Sequence, residues 1–156
     1  MTKFAAAVVL LTVSAVVTAE PRYQEKRDPM FEHTGAALEI QSTDGKAKLV
    51  YACIITDADR PMTIQFQISD ARLSYSGTRV IYTKANGALY ESNWSSTRNV
   101  AHSEDFYDID NFAALLKKER SVRFRAYDWE GGVVDATFDL SGSKPLERRV
   151  FLACKS

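Results

Sequence analysis

The chain has 156 residues, 46% of them apolar, with 20 Lys+Arg against 20 Asp+Glu. That is one domain's worth of sequence with enough apolar content for a core, which excludes a disordered or collagen-like chain and an enzyme with a separate cofactor lobe. The zero formal charge argues against nucleic acid as the main ligand, since phosphate binding needs a cationic face that displaces counterions.

Residues 1–19 read as a secretory signal peptide. Lys3 supplies a positive charge, Phe4 to Val17 is an uncharged apolar run broken only by Thr12 and Ser14, and Val17-Thr18-Ala19 places small residues at a cleavage site. Spanning hydrocarbon takes ~20 apolar residues. This run gives way to Glu20-Pro21-Arg22 too early, so cleavage after Ala19 and no membrane insertion afterwards are expected. Export places Cys53 and Cys154, the chain's two cysteines, in an oxidising compartment where they form the only possible disulfide; two buried free thiols are the alternative. The bridge would close a loop of about a hundred residues, which chain entropy values at roughly 4–5 kcal/mol.

Residues 20–34 are rich in charge, including Glu20, Arg22, Glu25, Lys26, Arg27, Asp28 and Glu32, and have no usable period. They read as a flexible leader before a single exported domain over 35–156. From Gly35 the period turns to two: Ala36, Leu38 and Ile40 alternate with Ala37, Glu39 and Gln41, and the Thr43-Asp44-Gly45-Lys46 turn feeds a strand over Lys48 to Ile55. Met62, Ile64, Phe66 and Ile68 mark the clearest half-buried strand. Arg79 to Thr83 and Ala88 to Trp94 flank Asn86-Gly87, a pair that supplies the positive φ angles of a tight hairpin. Ser121 to Tyr127 and Val133 to Leu140 flank Asp128-Trp129-Glu130-Gly131-Gly132, a second hairpin.

Two segments take helical spacing instead. Ile109, Phe112, Ala113 and Leu116 form one stripe, with Asp108 placed to cap it and Lys117-Lys118 suiting its C-terminal end. Leu146, Val150, Ala153 and Cys154 form another, with Ser143 as cap and Pro145 in the first turn. The expected fold is α+β, mostly β: an antiparallel, β-sandwich-like domain of seven to eight strands with two short helices.

The titratable residues suggest no chemistry. His33 and His102 are the only imidazoles, too few for a zinc site, and Asp57, Asp59 and Asp70 fall short of a calcium loop. His102 and Ser103 are adjacent, so on a strand they point to opposite faces and make a poor catalytic pair. The carboxylate pairs Glu104-Asp105, Asp108-Asp110 and Asp128-Glu130 suit solvated surfaces, and Gly131-Gly132 lacks the context of a phosphate loop. No catalytic residue, metal or cofactor is assigned.

The aromatics are more informative. Trp129 sits at a hairpin tip, where it either folds back onto the sheet or meets a partner. With Asp128, Glu130 and Asn86 of the other tip, it forms the candidate binding set. Trp94 reads as core at a strand end, and Tyr90 shares its face. Arg123 and Arg125 make a short basic stripe best satisfied by cross-strand ion pairs.

The order and spacing of Leu49 to Cys53, Val80-Ile81-Tyr82, Trp94-Ser95-Ser96, Phe112 to Leu116, Val122-Arg123-Phe124-Arg125, Phe138-Asp139-Leu140-Ser141-Gly142 and Val150 to Cys154 resemble the VasI (TagO-like) family of type VI secretion-associated proteins. The resemblance runs over about residues 36 to 154. It implies an exported, strand-rich domain with no established catalytic activity or cofactor, with Cys53 and Cys154 where the family keeps its pair. The chain departs from the family at Thr83 and Ala85, where an Arg and an Asp tend to occur, and at Lys155-Ser156, which replace an aromatic. Related domains also occur in prophages.

The resulting expectation is a non-catalytic, periplasmic binding or accessory protein that contacts an envelope or secretion-system protein, with no nucleic-acid partner. The alternative is an inhibitor or exclusion factor, lysozyme inhibitor-like or prophage-encoded, that blocks an enzyme through a hairpin tip.

Overall fold

The computed structural model describes residues 20–27, 34–53, 62–69 and 73–155. The expected signal segment, His33, Asp57, Asp59 and Asp70 lie outside the described residues. In chain order the elements are β1 (Arg22–Arg27), β2 (Thr34–Gln41), β3 (Ala47–Cys53), β4 (Met62–Ile68), β5 (Ser74–Ala85), β6 (Ala88–Arg98), β7 (Val100–Ser103), α1 (Phe106–Lys118), β8 (Ser121–Tyr127), β9 (Val133–Asp139) and α2 (Ser143–Lys155). The strands form one antiparallel sheet in the order β1-β2-β3-β4-β7-β6-β5-β8-β9. The class is α+β and mostly β, as expected.

The described residues form nine strands against the expected seven to eight, because two of them carry no period of their own. β1 lies within the segment expected to be a leader. It is an edge strand held by its backbone ladder to β2, with Tyr23 opposite Leu38, and an edge needs no alternating apolar face. Tyr23 adds a tertiary contact, its ring lying 3.9 Å from the Arg149 guanidinium of α2. β7 has four residues, too few to show a period, and forms because a turn at Arg98 (φ 54) folds it between β6 and β4.

The sheet twists and curls until its far parts meet. Ser42, just past β2, bridges to Phe138 in β9, and Thr43 N donates to Thr137 O at 2.8 Å. The result is a half-barrel in which non-adjacent strands face each other. Phe66 of β4 meets Phe124 of β8 at 5.6 Å between ring centroids and Phe138 of β9 at 6.2 Å. Phe124 also touches Trp94 and Phe112, so it ties both halves of the sheet to α1.

The alternation places Val122, Phe124 and Ala126 inward. Trp94 is core, as expected, but at mid-strand, since β6 runs on to Arg98. The helix starts differ from expectation. Asp105, not Asp108, caps α1 by accepting from Tyr107 N at 2.8 Å, which adds Phe106 and Tyr107 to the helix ahead of its apolar stripe. Ser143 is the first residue of α2 rather than its cap. Its N–H donates to Leu140 O across Gly142 (φ 82), which turns the side chain inward, where the hydroxyl is buried without a hydrogen-bond partner. At the other end of α2, Cys154 is bonded to Cys53 at the end of β3, 101 residues earlier.

Candidate binding surface

Both predicted hairpins form. Asn86 (φ 45) and Gly87 (φ 79) make the tight turn between β5 and β6. In the β8–β9 tip, Asp128 Oδ1 accepts from Glu130 N at 2.9 Å and Gly132 N at 2.6 Å, so this carboxylate shapes the loop. Glu130 is exposed, and Trp129 is 47% exposed, so about half of its side chain is open to a partner. The two tips are not brought together. β5 and β8 are antiparallel, with Lys84 opposite Arg123; Asn86 therefore lies level with the start of β8 and Trp129 beyond its end, roughly 25 Å apart at ~3.3 Å per residue. A single cleft on a partner meets one tip, not both.

A second candidate surface lies where α1 passes α2. Phe106 and Tyr107 at the start of α1 are 72% and 76% exposed, and Phe151 and Leu152 on α2 are 40% and 56% exposed. These residues lie outside the stripes that the two helices bury against the sheet. Phe106 and Phe151 rim a groove of about 730 Å3 whose apolar wall includes Met62, Ile109 and Ala113. The signal for this surface in the residue pattern is apolar side chains that fall off the buried stripe of a helix.

The floor of the groove is polar. Tyr51 and Glu147 are both 2% exposed and both line it. Glu147 Oε1 pairs with Lys117 Nζ at 3.3 Å, and this lysine is half-exposed. Burial pushes the Tyr51 phenol up to about 12, with the Glu147 and Asp110 carboxylates adding to the effect. Such a phenol stays protonated and does not serve as a base.

On the other flank of α1 a cleft of about 570 Å3 opens over Trp94 and Phe112. Asp108 accepts hydrogen bonds there from Ser92 and, at 2.6 Å, from Ser103, while Trp94 Nε1 donates to Ser92 Oγ at 3.0 Å. These bonds fasten α1 to β6 and β7. Ser103 is buried and His102 faces the other side of the strand, as the alternation requires, so the imidazole does not join this network. Among the described residues no group of three His, Cys, Asp or Glu could hold a metal ion, and no helix is long and apolar enough to cross a membrane.

Arg123 and Arg125 form the cross-strand ion pairs expected of them, both with Asp135. No protein-family model, no curated protein and no solved structure matches the chain.

Proposed function

We propose that this is a non-catalytic, exported binding or accessory protein, periplasmic in location, that docks onto a protein of the envelope or secretion apparatus through the α1–α2 face. The observation that carries the reading is the pair of exposed aromatics Phe106 and Phe151 at the rim of a groove with a largely apolar wall, with exposed Tyr107 packed on Phe106, because exposed apolar surface with aromatic anchors marks protein contacts. Three further features support it. The signal pattern over 1–19 implies export, the Cys53–Cys154 bridge suits an oxidising compartment, and the resemblance to the VasI family implies a secretion-associated envelope role.

The exposed Trp129, on a tip held in shape by Asp128, supports the second reading, an inhibitor that inserts this tip into an enzyme's cleft. Photo-crosslinkers placed at 106 and at 129 in envelope preparations separate the two. Protein adducts from position 106 are the expected result, and adducts from 129 alone transfer the function to the tip. Hydrolysis of peptidoglycan or peptide by the purified domain, abolished by one carboxylate substitution, overturns both.

A further inference from the structure

The outer face of the sheet, away from the helices, carries an ordered set of cations. Cross-strand registers align Glu91, Tyr82, Arg125 and Asp135 in one row and Leu89, Lys84, Arg123 and Thr137 in the next. Lys84, Arg123 and Arg125 thus gather around a single carboxylate, Asp135, while Glu91 and Asp139 lie farther along the same face. The arginines are held by one carboxylate: Arg123 Nε and Nη2 reach Asp135 at 3.2 and 2.7 Å, and Arg125 Nε and Nη2 reach it at 3.0 and 2.6 Å. A guanidinium has five N–H donors in a rigid fork. Each arginine turns one edge to Asp135, and among the described residues neither Nη1 group has a hydrogen-bond partner. Lys84 makes no ion pair among the described residues.

Asp135 therefore offsets one of two guanidinium charges while fixing the orientation of both, leaving oriented donors and excess positive charge. Beside them Tyr82 and Tyr127 pack edge to face, ring centroids 6.3 Å apart. These side chains and Leu89 border a shallow cleft of about 480 Å3, within the ~300–1,000 Å3 of small-ligand sites. Aromatic walls next to paired arginines suit a ligand that has an apolar C–H face and an oxyanion on the same ring, as an acidic sugar does. The small cationic excess and confined area do not suit a polyanion, whose binding needs many phosphate contacts.

We propose that this face binds an acidic saccharide, with its carboxylate or phosphate on Lys84 and the outward donors of Arg123 and Arg125 and its ring against Tyr82 and Tyr127. The site is separate from the α1–α2 surface, and either assignment can fail without the other.

The test is a titration of the oxidised protein, followed by amide NMR shifts, with glucuronate, glucose 6-phosphate, glucose and inorganic phosphate. Shifts clustered on β5, β8 and β9 are expected with glucuronate, glucose 6-phosphate or both, and the one that binds more tightly identifies the source of the oxyanion. Glucose and inorganic phosphate should each bind about tenfold more weakly, because each lacks one half of the recognition. Arg125→Lys keeps the charge but loses the fork and should weaken binding about tenfold. Lys84→Met breaks no internal ion pair, so it tests the site in a folded protein and should weaken binding several-fold. Absence of localised shifts with both charged sugars, equal binding of glucose or of inorganic phosphate, or an unaltered Lys84→Met variant overturns the proposal.

Discussion

Glu147 and Lys117 join α2 to α1 across 3.3 Å with unequal exposure, 2% for the carboxylate and 49% for the ammonium. The pair works as a polar latch beneath the groove, because a carboxylate out of water needs a cation and this one is supplied from the rim.

Removing the cation should therefore cost more than removing the pair. Lys117→Met is expected to lower stability by about 1–3 kcal/mol, discounted from the fully buried case because the lysine is half in water. Adding Glu147→Leu should restore most of the loss. Urea unfolding of the two variants checks this, and a double variant less stable than the single one contradicts it.

Tyr51 gives the protein an alkaline limit. Its phenol ionises at about 12 in the folded chain against 10.0 for a tyrosine in water. The unfolded state thus loses its proton first, and the stability this neutral phenol provides is complete below pH 10 and falls as pH rises toward 12. Tyr51→Phe should flatten that part of the stability profile, measured by denaturant midpoints across the alkaline range.

Asp135 acts at the opposite limit. Hydrogen bonding to Arg125 first, then to Arg123, with their charges adding, lowers its carboxyl from 3.8 to about 2. A depressed acid stabilises the fold above its unfolded value, and this contribution is lost as pH falls from about 4 to 2. In Asp135→Asn the loss over that interval should be smaller than in the parent, as acid titration of the far-UV signal can show.

The two tryptophans should separate optically. Trp94 is 3% exposed in the aromatic core and Trp129 is 47% exposed at its tip. Acrylamide should quench the red-shifted emission first, and Trp129→Phe should leave a blue-shifted, poorly quenched spectrum from Trp94. Equal quenching of the two residues contradicts these placements.

Phe124 should be among the costliest core truncations, since Phe66, Trp94, Phe112 and Phe138 all pack on its ring. Phe124→Ala is expected to lose about 3–5 kcal/mol, the range for emptying an aromatic site. Calorimetric or denaturant unfolding measures it.

Local pattern determined much of this protein. Strict alternation at Met62 to Ile68 and at Val122 to Ala126 assigned strands and their inward faces. Asn86-Gly87 and the Asp128 to Gly132 run set two hairpins, because positive φ and side-chain capping are properties of the residues themselves. The two cysteines allowed one bridge, and it is present. These signals act over a few residues, or leave one combination open, so the sequence alone carries them.

Tertiary structure decided the rest. β1 and β7 exist only because a neighbouring strand offers them a ladder, and no side-chain period announces backbone hydrogen bonds made to another part of the chain. The predicted binding residues Asn86 and Trp129 fall at opposite ends of the β5–β8 pair because the two hairpins associate antiparallel, a register the sequence of neither encodes. The groove over Tyr51 and Glu147 arises from β3 and α2, whose meeting depends on the curl of the whole sheet. Where two surfaces come to face each other is a property of global packing, and that is why the candidate sites became visible only in the folded chain.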